Sequence, residues 1–132
     1  MKKTNKKVYR LSVSCLILMS AEELEERLRE SIHDGPFGPV EFKAYIDEND
    51  QDYELFISHL KVHDRYRRQG LGREAVQNAV KICSESNLPV QSVSIDILNE
   101  SGAEDFLKDV GFNSVKKHGN QVSGQSKIEE LL

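Results

Sequence analysis

The segment Leu60-Lys61-Val62-His63-Asp64-Arg65-Tyr66-Arg67-Arg68-Gln69-Gly70-Leu71-Gly72-Arg73 gathers the residue types that hold an anion. An apolar alternation precedes it and a helical periodicity follows. It therefore reads as a strand entering a glycine-punctuated loop that opens directly into an amphipathic helix. Backbone N–H groups at such a helix start point outward, and the helix dipole adds positive potential, which suits a phosphate or pyrophosphate. Gly70 and Gly72 allow the backbone to approach an anion with no Cβ in the way. Arg67, Arg68 and Arg73 can add charge-assisted contacts. No Gly-Lys-Ser/Thr follows the glycines, so a Walker-type loop is absent, and Gly-x-Gly alone is no dinucleotide fingerprint. Taken by itself the segment is equally a loop carrying solvated arginines.

The elements around this loop follow from periodicity and caps. Leu11, Val13, Cys15, Ile17 and Met19 recur with period 2, as a strand with one buried face requires. That alternation argues against a signal peptide, although Lys2 to Lys7 form a basic head; they read instead as a flexible tail. Ser20-Ala21-Glu22-Glu23 is a capping box, and Leu24, Leu28 and Ile32 continue one helical face up to His33-Asp34-Gly35. Pro36 and Pro39 forbid its continuation. Val40 to Asp47 and Tyr53 to Val62 read as antiparallel strands joined by a polar turn. A helix is expected from Gly72 to Ser86, a strand over Val90 to Leu98, and a second capping box at Ser101-Gly102-Ala103-Glu104. That box opens a helix through Phe106, Leu107 and Val110 that closes at Gly111. Phe112 to Lys117 is a short strand. From His118 onward the chain is too polar for a clear strand and reads as a weakly structured tail, with a helical turn at Ile128, Leu131 and Leu132. The order is that of one α/β domain spanning residues 1–132, a mixed sheet with helices on both faces.

Composition narrows the function classes. The chain has 132 residues, 38% hydrophobic and 30% charged, with 8 Gly and 3 Pro, which excludes collagen-like and wholly disordered chains. No run approaches the roughly 18 apolar residues of a membrane span. A net charge of -4 disfavours nucleic acid bound through overall basicity. Cys15 and Cys83 make no disulfide framework, and four scattered histidines lack zinc-ligand spacing, so no metal is expected. The cysteine usage points to a reducing, cytoplasmic compartment.

Arg67-x-x-Gly70-x-Gly72, preceded by Leu60-x-Val62 and Tyr66, resembles the acyl-CoA-binding motif of the GNAT N-acetyltransferases. Asn99 to Gly111-Phe112, with Ala103 and Phe106 between, is similar to that family's next helix. The resemblance covers about residues 53–115. It implies acetyl-CoA as co-substrate between two splayed parallel strands, Tyr53–Val62 and Val90–Leu98. Its pyrophosphate would lie on amides from Arg68 to Arg73, Gln69 and Leu71 included, and its pantetheine arm along Leu60, Lys61 and Val62, with Asn99 contributing. A backbone N–H of that stretch would polarise the thioester carbonyl. The implied reaction is direct attack by a primary amine of a small molecule or a protein, in a monomer or homodimer; the alternative is a non-catalytic acyl-CoA-binding module on the same fold.

An alkyl amine with a pKa of about 10.4 arrives protonated, so a group must accept its proton. By placement, Asp96 and Glu54 are the candidates, with His59 as another titratable group. The family's tyrosine, which protonates the departing thiolate, would fall beside Phe106, where this sequence has Leu107; Tyr66 is the tyrosine nearest the motif. The early half also looks short, with fewer peripheral elements than the family usually carries.

Overall fold

The structure, a computed structural model, describes residues 19–34, 40–50 and 52–132. The expected tail at Lys2 to Lys7 and the strand through Leu11, Val13, Cys15 and Ile17 lie outside these residues. Eight elements follow: α1 (Ala21–Asp34), β1 (Val40–Glu48), β2 (Tyr53–Val62), α2 (Leu71–Glu85), β3 (Val90–Leu98), α3 (Ala103–Val110), β4 (Ser114–His118) and β5 (Gln121–Lys127). Short 3₁₀ turns occupy Asp64–Tyr66 and Ile128–Leu131. None of the described helices is long and apolar enough to cross a membrane.

α1 starts as its sequence dictates. The Glu23 amide donates to Ser20 Oγ at 3.1 Å and the Ser20 amide to Glu23 Oε1 at 3.0 Å, closing the reciprocal box. The second box does not form: α3 is capped by Gly102 at φ 84°, with no side-chain cap bond. A left-handed residue there turns the chain without a hydroxyl, so Ser101 is not used. α3 closes at Gly111, φ 120°, whose amide reaches the Leu107 and Lys108 carbonyls.

The sheet has the order β1-β2-β3-β5-β4, with β2 and β3 parallel and the other neighbours antiparallel. Leu55 and Ile57 of β2, Val93 and Ile95 of β3 and Val122 of β5 share one core with Leu24, Leu28, Val76, Val80 and Leu107 from the helices. The alternate strand residues Glu54, Phe56, Ser94, Asp96 and Ser123 are only half-buried. Period 2 thus divides the sheet into an apolar face and a polar one. The α/β class and the mixed sheet with helices packed on it match expectation.

The segment read as a weak tail is the main correction. Residues 121–127 form β5, inserted between β3 and β4. Its core side carries Val122, Gly124 and Ser126, and all three are buried. Gly124 makes room for a neighbour: a Cβ there would stand 3.0 Å from Phe112 Cγ and 3.2 Å from Ile95 Cγ2. Ser126 accepts the Asn113 amide at 2.7 Å. Phe112 supplies the apolar volume that β5 lacks.

Candidate functional site

The β2–β3 ladder ends early. Its last rung pairs Ile57 with Ile95, whereas β2 stays paired with β1 up to Val62↔Val40 and β3 with β5 up to Leu98↔Gln121. Beyond that rung the sheet parts into two arms. β2 also carries a bulge at this point: Lys43 faces His59 and Ala44 faces Ile57, which leaves Ser58 as the extra residue. A bulge bends its strand and increases the local twist, which turns β2 away from β3. Alternate backbone groups that β3 would have taken open into the gap.

The gap is a cleft of about 700 Å³, within the range of small-molecule sites. Residues 58–62 form one wall and residues 96–98 the other, while Phe106 and Val110 of α3 close one side. Tyr66, Arg67, Arg68, Gly70, Leu71, Gly72 and Arg73 line its helix end. Of the residues expected to bind the coenzyme, Leu60, Lys61, Val62, Arg67, Arg68, Gly70, Leu71, Gly72 and Arg73 therefore share one cavity. Gln69 and Asn99 are not among its lining residues. Asn99 spends its amide on the Asn120 carbonyl at 2.8 Å and borders a separate small depression with Glu104 and Lys117.

The helix end has the features of an anion cradle. Gly70, at φ 78°, is the N-cap of α2 and makes no side-chain cap bond. The first bond of the helix runs from the Glu74 amide to the Gly70 carbonyl at 2.9 Å. No described protein acceptor takes the amides of Leu71, Gly72 and Arg73, the groups a helix start leaves over for a cap or a ligand. Arg68, at φ 66°, puts a left-handed turn just before them. Gly72 has no positive φ, and its neighbours leave only van der Waals room for a side-chain carbon. A Cβ there would lie 3.4 Å from Val62 Cγ2 and from two ring atoms of Phe106. Arg67 is anchored, with Nε donating to the Val62 carbonyl at 3.1 Å and a second nitrogen 3.7 Å from Glu100 Oε2. Val62 ends one arm and Glu100 follows the other, so Arg67 spans the cleft mouth.

The two expected bases stand apart. Asp96 lines the cleft and also a second cavity of about 320 Å³ on the polar face, whereas Glu54 lines only the second. Glu54 Oε2 accepts the Ser92 and Ser94 hydroxyls at 3.1 and 2.9 Å. Asp96 Oδ1 accepts the Ser123 hydroxyl, and Ser123 Oγ lies 2.5 Å from His118 Nε2. His59 is committed to Glu41, whose other oxygen meets His63; the Nε2 distances are 3.1 and 3.0 Å. Hydrogen bonds from His59 and then His63 hold the Glu41 carboxyl below its usual range. Leu107 is fully buried in the core, so the residue beside Phe106 does not face the cleft. Tyr66 does line it. Among the described residues no group of His, Cys, Asp and Glu could hold a metal ion. Ser123 and His118 escaped the sequence reading because only the register of three strands brings them to Asp96.

Residues 20–112 match the family described as Acetyltransferase (GNAT) family. No curated protein matches the chain. Among solved structures it is similar to Arabidopsis thaliana NAA60 in complex with acetyl-CoA, at 16% identity and TM-score 0.55, covering 67% of this chain and 65% of that one. Arabidopsis thaliana Naa50 in complex with the bisubstrate analogue CoA-Ac-MVNAL is similar at 19% identity and TM-score 0.50, covering 64% and 63%. An acetyltransferase from Thermus thermophilus is similar at 17% identity and TM-score 0.50, covering 67% and 55%. The chain spans less than two thirds of the length of each. At these identities the likeness is one of fold.

Proposed function

The chain belongs to the GNAT family of acetyltransferases, and from that footing we propose that it transfers an acetyl group from acetyl-CoA to a primary amine of a small molecule or a protein. The observation that carries this reading is the cleft itself, where the parted β2 and β3 lead to the uncommitted amides of Leu71, Gly72 and Arg73. The coenzyme's diphosphate rests on those amides, with Arg68 and Arg73 beside it. Its pantetheine arm runs along the open edge of residues 60–62, where a backbone N–H meets the thioester oxygen as negative charge develops on it.

The acceptor enters through the smaller cavity, which carries Asp47, Glu54 and Asp96 and suits a cationic amine. Asp96, the carboxylate common to both cavities, takes the ammonium proton. The freed amine attacks the acetyl carbonyl, forming a C–N bond as the C–S bond breaks, and the thiolate takes up a proton. Glu54, tethered by Ser92 and Ser94, keeps the acceptor cavity anionic. The protein works in the cytoplasm, where acetyl-CoA and free thiols coexist.

A thiol-release assay with acetyl-CoA and three amines (spermidine, lysine ethyl ester and the pentapeptide MVNAL) tests the reading. Turnover with at least one amine is expected, falling about 100-fold or more in Asp96→Asn. Acetyl-CoA binding with no turnover on any amine leaves a binding module and removes the transferase.

A further inference from the structure

We propose that Asp96, Ser123 and His118 form a proton relay that carries the acceptor's proton from the cleft to solvent, with Ser123 and His118 as positioning residues for the transfer reaction. The inference rests on the acetyl-transfer reading and extends it. Three adjacent strands supply the three groups: Asp96 from β3, Ser123 from β5 and His118 from β4. Asp96 and Ser123 are direct cross-strand partners on the polar face, and His118 sits at the end of β4, whose pairing with Gln121 brings it diagonally onto Ser123. The Ser123 hydroxyl donates to Asp96 Oδ1, and its oxygen meets His118 Nε2 at 2.5 Å. Burial grades in the same direction, from half-buried Asp96 and Ser123 to exposed His118.

The reaction needs such an exit. An ammonium acceptor loses two protons as its amide forms, and the departing thiolate takes one, so each turnover releases one proton. Asp96, once protonated, cannot serve the next acceptor until it is emptied. Its Ser123 neighbour can turn its hydroxyl over, accept the Asp96 proton and pass its own to His118 Nε2. Imidazole exchanges protons readily near neutral pH, and His118 is exposed. No covalent intermediate or further reactant is involved.

The test uses the full chain, acetyl-CoA and the best of the three amines at constant pH. Ser123→Ala and His118→Gln are expected to lower kcat about tenfold or more while leaving the acetyl-CoA KM within about twofold. Ser123→Thr keeps a hydroxyl on a residue that suits a strand, and it should keep the wild-type rate. Added imidazole should restore His118→Gln, whose gap is at the surface, and leave Ser123→Ala slow. Unchanged kcat in both variants overturns the relay, as does a slow His118→Gln that imidazole fails to restore. Wild-type protein without turnover removes the transferase reading and the relay together; turnover with unaffected variants removes the relay alone.

Discussion

Ile57 and Ile95 form the last rung between β2 and β3, and the next residue of β2, Ser58, is the one its antiparallel partner leaves unpaired. The coincidence gives the cleft a local cause. One extra residue bends β2 where the parallel ladder stops, and the same shift sets Leu60 and Val62 toward the core while His59 meets Glu41.

Deleting Ser58 should therefore do more than shorten a strand. Removing the extra residue makes Ala44–Ile57 and Lys43–His59 consecutive rungs of a regular ladder, so Leu60 and Val62 keep their inward face while the bend that turns β2 from β3 is lost. Acetyl-CoA affinity, read by calorimetry, should fall about tenfold or more, a loss of about 1.4 kcal/mol, because a straightened β2 no longer parts from β3. Ser58→Ala, which keeps the bulge, should stay within about 0.5 kcal/mol of wild type.

Leu107→Tyr looks from the sequence like the restoration of a missing acid. Leu107 is fully buried and its ring-bearing replacement would overfill the core, so the variant should lose about 1–3 kcal/mol of stability. Its thiol-release rate should not rise. Chemical denaturation and the assay on the same sample check both.

Burial pushes the Cys83 thiol up to about 12, from an ordinary value of 9.0. Folded protein then keeps the proton that unfolded chain loses, so stability should fall as pH rises through 9 toward 12. At pH 8 a maleimide should label Cys83, as read by peptide mapping, only after denaturant is added.

Much of this was legible in the sequence because the signals were local. The Ser20–Glu23 box, the period-2 runs of β1 to β3 and the glycines before α2 each carry their own physics within a few residues. β5 was not legible, because its core side is Val122, Gly124 and Ser126, and the apolar volume belongs to Phe112 on another segment. Which of two neighbouring residues faces the cleft was hidden for a related reason: only the helix phase set by Gly102 and Gly111 puts Phe106 there and Leu107 in the core. The contacts of Asp96 depend on register across β3, β5 and β4, which no single stretch encodes.

Calorimetric titration of acetyl-CoA into wild type, Gly70→Asn and Gly70→Asp asks most directly whether the start of α2 holds a diphosphate. Both replacements tolerate the left-handed backbone at Gly70 and differ essentially in one charge. Affinity should be weaker in the Asp variant than in the Asn variant by about tenfold or more, a difference of about 1.4 kcal/mol, at similar Tm. Equal affinities in the two variants, or no binding by the wild type, would contradict it.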